Sequence, residues 1–147
     1  MLFNLKTIDE KLAAVEGSIE LAFFNPLKEF PLIPAREIEN VLPYFHPPKK
    51  GLSYAEGQAR LLHDLASIEM QALELGVRTL HEFPEEPDGF RNELVSIIRS
   101  EARHLELCRR AIDRLGYRWG QWPVHTLLWP YRDWETDRKS TRLNSSH

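Results

Sequence analysis

The chain has 147 residues, of which 42% are hydrophobic and 28% charged, as is typical of one globular domain. No stretch approaches the roughly 20 apolar residues that a membrane span needs, and the first residues do not resemble a signal peptide, so we predict a cytoplasmic protein with no membrane partner. The formal charge of -3 gives no general attraction for nucleic acid, and the single cysteine, Cys108, excludes an internal disulfide and a thiolate zinc cluster.

The first 50 residues form a short helix followed by a proline-rich segment. Thr7 and Glu10 make a capping box ahead of apolar residues at helical spacing, which predicts a helix that ends near Gly17. Six of the ten prolines lie between Phe24 and Lys50, where they disfavour helix and predict an extended arm. We expect the apolar residues of this arm to pack onto the rest of the protein, namely Phe23, Phe24, Phe30, Leu32 and Tyr44.

Two long helices follow. Ser53 and Glu56 make a second capping box, and the helical period continues without proline to Pro84, which predicts a helix over about 53 to 82. Asp88 is the predicted N-cap of a second helix over about 88 to 115, with Gly116 as its C-terminal cap. Because the turn between them is short, the helices must be antiparallel. The sequence therefore predicts an all-α fold built on an antiparallel helical hairpin.

Glu69 stands out on the first of these helices because its helical neighbours are all apolar or small. Those neighbours are Leu62, Leu65, Ala66, Ala72, Leu73 and Gly76. Glu101 on the second helix has similar surroundings, with His104 one turn further along the same stripe. An ionised carboxylate in such a stripe costs several kcal/mol unless a cation or strong hydrogen bonds compensate it. We therefore expect these three side chains to point into the protein interior and to share a partner.

The spacing of these residues indicates a metal site. Glu101 and His104 form an E-x-x-H motif, which places a carboxylate and an imidazole on adjacent helical turns. Glu69 lies 16 residues before a joint near residue 85 and Glu101 lies 16 after it, so an antiparallel hairpin brings them to the same level. The sequence predicts that Glu69, Glu101 and His104 bind a metal ion. The alternative is a Glu and His hydrogen-bonded network that only fixes the register of the helices.

A Glu on one helix followed by E-x-x-H on the next resembles half of the site in ferritin-like di-iron or di-manganese proteins. More narrowly, the chain resembles a widespread ferritin-like family of unknown function, through LLHDLASIEMQALEL (61–75), EARHLELCRRAIDRLGY (101–117) and WPVHTLLW (122–129). The resemblance implies that 51–130 is the N-terminal half of a ferritin-like four-helix bundle. It also implies two iron or manganese ions in the complete protein, with the second helical pair missing from this chain.

The end of the chain has a different character. Residues 137–147, DRKSTRLNSSH, have no hydrophobic period and resemble the conceptual translation of a sequencing-library adapter. We therefore expect 131–147 to be non-native, with 137–147 derived from the adapter, and the native gene to continue beyond the break.

The remaining glutamate, histidine, cysteine and tryptophan residues that could contribute to a site are interpreted mainly as structural or solvent-exposed. We expect solvated or capping carboxylates at Glu56, Glu74, Glu93 and Glu106 because their helical neighbours are mixed or polar. His63 is predicted to be partly exposed, Cys108 to be a small core residue, and His125 to be a weak candidate for supporting the site. We expect packing anchors at Trp119, Trp122 and Trp129.

Three functions are compatible with this pattern. The resemblance favours a non-haem dimetal oxidoreductase or hydroxylase that uses dioxygen; ferritin-like relatives include hydroxylases, one of them acting on transfer RNA, ferroxidases and manganese catalases. Metal storage ranks lower because it needs a closed shell of subunits, and the third alternative is a non-catalytic helical interaction module. Two helices cannot cover both sides of their apolar stripes, so we expect the chain either to self-associate, for example as a homodimer through these faces, or to be poorly stable.

Overall fold

The computed structural model describes residues 1–38 and 48–129. Within these two ranges the protein contains a short 3₁₀ turn at Leu2–Asn4, four α-helices and no β-strand. The helices are α1 (Ile8–Ala13), α2 (Val15–Phe24), α3 (Ala55–Glu82) and α4 (Asp88–Arg114). Helices α3 and α4 pack against each other along their length. The all-α class and the helical hairpin are therefore confirmed.

The start of α3 differs from the prediction. The N-cap is Tyr54, and no side chain caps the helix, so the capping box expected from Ser53 and Glu56 is wrong. The carboxylate of Glu56 instead pairs with Lys50 at 2.8 Å. The helix ends just before Pro84, whose ring disfavours helical geometry in the residue before it.

Helix α4 begins one residue earlier than its predicted N-cap implies, because Pro87 occupies the N-cap and Asp88 is the first helical residue. At its other end, Gly116 has a φ of +83°, a conformation that glycine adopts without steric cost. The N–H of Tyr117 donates to the carbonyl of Ile112 at 3.2 Å, and that of Gly116 donates to Asp113 at 3.0 Å. These two bonds form a Schellman motif, which confirms the predicted cap.

The N-terminal helices agree with the prediction only at their start. The hydroxyl of Thr7 accepts a hydrogen bond from the N–H of Glu10 at 3.1 Å and so caps α1. The helical path does not end near Gly17, however. It is interrupted at Ala14 and continues as α2 to Phe24.

These N-terminal elements cover one face of the hairpin, which we call the inner face. Its α3 residues are Met70, Leu73, Val77 and Leu80, each at most 1% exposed. They share a hydrophobic cluster with buried residues of the N-terminal elements and of α4, namely Leu2, Phe3, Ile8, Val15, Ile19, Ala22, Val95, Ile98, Leu105 and Ile112. Burial of about 1.5 to 3 kcal/mol per large apolar side chain makes this cluster the main source of stability.

The proline-rich segment is only partly attached. Residues 25–38 contain no helix or strand, and 39–47, with Tyr44, lie outside the described residues. The Phe30 ring packs edge-on against Phe3 with centroids 5.9 Å apart, as expected. Phe24 and Leu32 are instead 81% and 65% exposed, so the prediction that they pack is wrong. An extended conformation for the whole arm stays a prediction.

The segment after α4 returns to the inner face and confirms the tryptophan anchors. The Trp129 ring lies 5.6 Å from that of Phe3, and its Nε1–H donates to the carbonyl of Pro31 at 3.2 Å. The Trp119 ring stacks on His63 with centroids 4.4 Å apart. Trp122 stacks against Tyr117, with centroids at 5.7 Å.

Candidate metal centre

The hairpin brings the three predicted ligands together. Glu69 lies near the middle of α3, and Glu101 and His104 lie one turn apart on α4 at the same level. The Nδ1 atom of His104 is 3.6 Å from Oε2 of Glu69 and 3.6 Å from Oε2 of Glu101. One ligand atom from each residue lies within 4.8 Å of the other two. The convergence expected from the count of 16 residues on either side of the turn is therefore observed.

The negative charges of this group are not fully compensated by neighbouring donors. Oε2 of Glu69 is buried and has no hydrogen-bond partner among the described residues. The imidazole of His104 is too far away, at 3.6 Å, to donate a good hydrogen bond to either carboxylate. A buried carboxylate oxygen without a donor is unfavourable unless a cation lies against it.

The size of the group fits one metal ion. Ligand oxygen and nitrogen atoms bind such ions at about 2.0 to 2.2 Å, so two ligands of one ion lie at most about 4.4 Å apart. The observed limit of 4.8 Å exceeds this span by a few tenths of an ångström. The His104 side chain is 50% exposed and has room to make this adjustment. Two carboxylates and one imidazole form a donor set that suits iron or manganese.

The position of the group corrects one expectation, because the ligands do not lie in the interior. Glu69 and Glu101 are 23% and 22% exposed, and some apolar residues close to them in sequence, such as Leu65, Ile68 and Ile97, are exposed as well. We call this side of the hairpin the outer face and define it by its exposed apolar residues Leu61, Leu65, Ile68, Ile97 and Leu107. The reason is that the N-terminal elements of the described chain pack on the opposite face of α3, so its second apolar stripe is left uncovered.

Several other sequence interpretations are wrong at the inner face. Glu74, expected to be solvated, is fully buried and accepts hydrogen bonds from Lys11 at 3.0 Å and from the guanidinium of Arg36. Desolvation lowers the pKa of Lys11, and the charge of Glu74 offsets part of this shift. No local pattern predicts this cluster, because Lys11 lies 63 residues away in sequence. His63, expected to be partly exposed, is fully buried, and its Nε2 accepts from the N–H of Gly120.

The remaining candidates lie apart from the three ligands. His125 lies in the segment after α4, where its Nδ1 accepts a hydrogen bond from the N–H of Leu127 at 3.3 Å, and its role beside the site stays a prediction. Cys108 packs against the core as expected, and burial raises the pKa of its thiol. Glu106 is 25% exposed and pairs with Arg109 at 2.6 Å and Arg110 at 3.1 Å, so it is less solvated than expected.

None of the described helices is both long enough and apolar enough to cross a membrane. No solved structure matches the sequence. One curated relative, an uncharacterised protein of Haemophilus influenzae, is 32% identical over 89 residues. The alignment covers 56% of this chain and 31% of the relative, so the chain spans about a third of the length of the relative it matches.

One family covers nearly the whole sequence. Residues 5–144 match the family described as "Protein of unknown function (DUF455)". The match continues through 137–144, so it lends no support to the adapter interpretation of that segment, which lies outside the described residues. A match over this share of the sequence is sufficient to assign membership. The chain therefore belongs to the DUF455 family of proteins of unknown function.

Proposed function

We propose that the chain carries one half of a carboxylate-bridged dimetal centre of the ferritin-like kind, with Glu69, Glu101 and His104 as its metal ligands. The observation that carries this proposal is the convergence of three ligand atoms within 4.8 Å across the hairpin, one of them a buried Glu69 oxygen without a hydrogen-bond donor. A divalent cation at this point would compensate both carboxylates at once. A half-site of this composition matches the ligand arrangement of di-iron and di-manganese bundles.

Each ligand has a distinct role in this proposal. Glu101 and His104 are three residues apart on α4 and would chelate one ion from adjacent turns, which favours binding because one helix positions both groups. Glu69 reaches the same ion from α3 and so links the two helices. The apolar residues of the outer face would limit access of water once they are covered.

We further propose that the complete protein is a non-haem oxidoreductase that uses dioxygen, for example as a hydroxylase. Two iron or manganese ions with open coordination positions would supply the redox chemistry, and the helices would supply fixed ligand geometry. Because this chain spans about a third of the matched relative, the substrate of the complete protein is not assigned. Metal storage is the lower-ranked alternative, and a large hollow assembly in solution would favour it.

A competing interpretation has its own observation. The Nδ1 atom of His104 lies 3.6 Å from an oxygen of each carboxylate, and a positive charge on this ring would form ion pairs with both and fix the helix register without any metal. In that case the chain is a helical interaction module. The two interpretations differ in metal content and in the effect of Glu101→Ala. If the pairs only fix the helix register, this change should lower stability by removing one pair and should leave metal content unchanged.

The test is a metal titration of the purified chain after treatment with a chelator. We expect about one Mn²⁺ or Fe²⁺ per chain, measured by elemental analysis after removal of unbound ions. The double variant Glu101→Gln, His104→Ala should lose this ion. The matched control Glu93→Gln also removes one carboxylate from α4, but from an exposed position outside the three ligands, and should retain the ion. Absence of metal from the unaltered chain would contradict the metal site.

The enzyme proposal needs a separate measurement. The iron-loaded complete relative should consume dioxygen when a reductant is supplied, and the Glu101→Gln, His104→Ala change at the corresponding positions should abolish this. Iron binding without any oxygen consumption would contradict the oxidoreductase proposal and leave the metal site intact.

A further inference from the structure

The two long helices approach each other closely where Gly76 of α3 faces Ile98 of α4. A Cβ atom at position 76 would lie 2.8 Å from Cγ1 and 3.7 Å from Cδ1 of Ile98. Carbon atoms pack at about 3.5 to 4.0 Å, so only a residue without a side chain fits here at the observed separation of the helices. The contact between Gly76 and Ile98 therefore sets how near α3 and α4 come to each other.

Ile98 has no room to move away from a side chain at position 76. It is fully buried and belongs to the hydrophobic cluster of the inner face. Isoleucine in a helix is restricted to essentially one χ1 rotamer, because two heavy atoms branch from its Cβ atom. A methyl group at position 76 would therefore push helix against helix, by about 0.7 Å if its distance to Cγ1 is to reach about 3.5 Å.

This contact lies near the candidate ligands on both helices. Ile98 is three residues, or one helical turn, before Glu101 on α4. Gly76 is seven residues, or two turns, after Glu69 on α3. Residues at these two spacings lie on the same side of a helix. A push on α4 at Ile98 therefore moves Glu101 away from Glu69.

The distance between ligands decides which size of ion they fit. Small divalent ions hold ligand atoms at about 2.0 to 2.2 Å, whereas Ca²⁺ holds oxygen atoms at about 2.3 to 2.6 Å. Two ligands on opposite sides of an ion are therefore about 0.7 Å further apart around Ca²⁺ than around a small ion. This difference matches the displacement that a methyl group at position 76 would cause.

We propose that Gly76 is a positioning residue for the candidate metal centre, and that its contact with Ile98 makes the centre prefer small divalent ions to Ca²⁺. This inference rests on the proposed function, because it requires that Glu69, Glu101 and His104 bind a metal. Gly76 itself touches no ion and acts through the separation of the two helices. Because the contact lies within the hairpin, it acts on these three ligands whether or not a second helical pair supplies others.

The test compares the dissociation constants of Mn²⁺ and Ca²⁺ for the full 147-residue chain, measured by calorimetric titration after treatment with a chelator. Gly76→Ala should shift the ratio of the two constants towards Ca²⁺ by about tenfold, the lower end of the effects that follow when groups that orient metal ligands are changed. A change that only destabilised the fold would weaken both ions alike. Alanine forms helix better than glycine, so the variant should keep the fold.

Two further variants isolate the contact. Gly76→Ala, Ile98→Ala removes the atoms that the new methyl group would meet and should restore the preference of the unaltered chain for Mn²⁺. The matched control Gly89→Ala makes the same change on α4 where a Cβ atom would meet nothing within 4 Å, and should leave the ratio unchanged. Far-ultraviolet circular dichroism checks the helical content of each variant. The comparison of Gly76→Ala with Gly89→Ala decides the inference even if the double variant unfolds.

Several outcomes would overturn the inference. An unchanged ratio in Gly76→Ala would contradict it and leave the proposed metal site intact. An equal shift in Gly89→Ala, or a folded double variant that keeps the altered ratio, would exclude the contact with Ile98 as the cause. Loss of helical content in Gly76→Ala would mean that the contact is structural only. Absence of Mn²⁺ binding by the unaltered chain would overturn both the inference and the proposed metal site.

Discussion

Two carboxylates five residues apart on α3, Glu74 and Glu69, are treated in opposite ways by the protein. Glu74 on the inner face is fully buried, and the chain itself supplies two cations, Lys11 at 3.0 Å and Arg36. Glu69 on the outer face also has a buried oxygen, but no described residue donates a hydrogen bond to it. The same helix thus carries one carboxylate whose charge is compensated internally and one whose charge is not.

The difference in charge compensation separates a structural role for Glu74 from the ligand role proposed for Glu69. A compensated ion pair in the core fixes the N-terminal segment to α3, because Lys11 and Arg36 both come from that segment. An uncompensated carboxylate costs stability, which agrees with the metal-binding role proposed for Glu69. Changes at each face should therefore have different, and sometimes opposite, consequences.

The largest effect should follow from Glu74→Gln. This change leaves Lys11 and Arg36 buried without a counter-charge, and breaking a buried ion pair in this way costs about 3 to 5 kcal/mol. Urea unfolding in chelator measures the loss. The isosteric Glu69→Gln change serves as the matched variant on the outer face. Equal losses in the two variants would remove the distinction between the faces.

Removing an apolar side chain should also destabilise the protein more on the inner face than on the outer face. Leu73→Ala on the inner face removes a fully buried side chain and should lower the free energy of unfolding by about 2 to 5 kcal/mol. Leu65→Ala removes a side chain that is 39% exposed, and should cost the metal-free monomer less than about 1 kcal/mol. Denaturant midpoints in chelator compare the two. A large loss for Leu65→Ala would mean that the outer face is already covered in the metal-free chain.

Acid should weaken the inner face through His81. Its Nδ1 accepts the N–H of Leu27 at 2.9 Å and its Nε2–H donates to the carbonyl of Ser18 at 2.9 Å, so the buried ring is neutral and both nitrogens are used. Burial lowers the pKa of His81, the hydrogen bond to Ser18 opposes this shift, and the charge of Arg91 adds to it. Protonation would break the bond from Leu27 and release the segment after α2.

The sign of the pH effect follows from this direction. The unfolded chain takes up a proton at His81 below about pH 6.5, whereas the folded chain does so only at lower pH. Stability from His81 is therefore complete above about pH 6.5 and falls by up to about 1.4 kcal/mol per pH unit as the pH drops towards the lowered pKa. His81→Gln should be less stable at pH 8 and should lack this slope, whereas His125→Gln should retain it. An unchanged slope in His81→Gln would exclude this residue as the cause.

The smallest effect should be a gain in stability. Glu69→Gln removes a buried, unpaired charge beside Glu101, so the metal-free chain should become more stable by about 1 kcal/mol. The same variant should lose the stabilisation that Mn²⁺ gives the unaltered chain. Thermal unfolding with and without Mn²⁺ measures both. A loss of stability in chelator would show that the Glu69 charge already has a partner.

Much of the hairpin could be predicted because its causes are local. The helical period, the prolines that flank α3, and Gly116 after α4 are all read from neighbouring residues. The meeting of Glu69 and Glu101 followed from counting residues on either side of one short turn. Chain geometry fixes such distances once the two helices are known.

The errors have the opposite origin, because they concern contacts between distant parts of the chain. Glu74 has polar neighbours on its own helix, and its burial depends on Lys11 and Arg36. His63 is buried by Trp119, which lies beyond α4. The apolar stripe around Glu69 predicted that this residue points into the interior, and the stripe could not indicate that the N-terminal segment would cover the other face and leave Leu65 and Ile68 exposed.

Gly76 has a consequence for how precisely the candidate ligands are spaced. A Cβ atom at this position would lie only 2.8 Å from Cγ1 of Ile98, so the two helix axes approach closely there. The contact lies seven residues, or about two turns, from Glu69. Any side chain at position 76 would widen the gap between the helices on the turn side of the ligands and tilt one axis against the other. Because residue 76 has no side chain, the two helices can approach closely, and this approach influences the distance between the candidate ligands about 10 Å away along the helix.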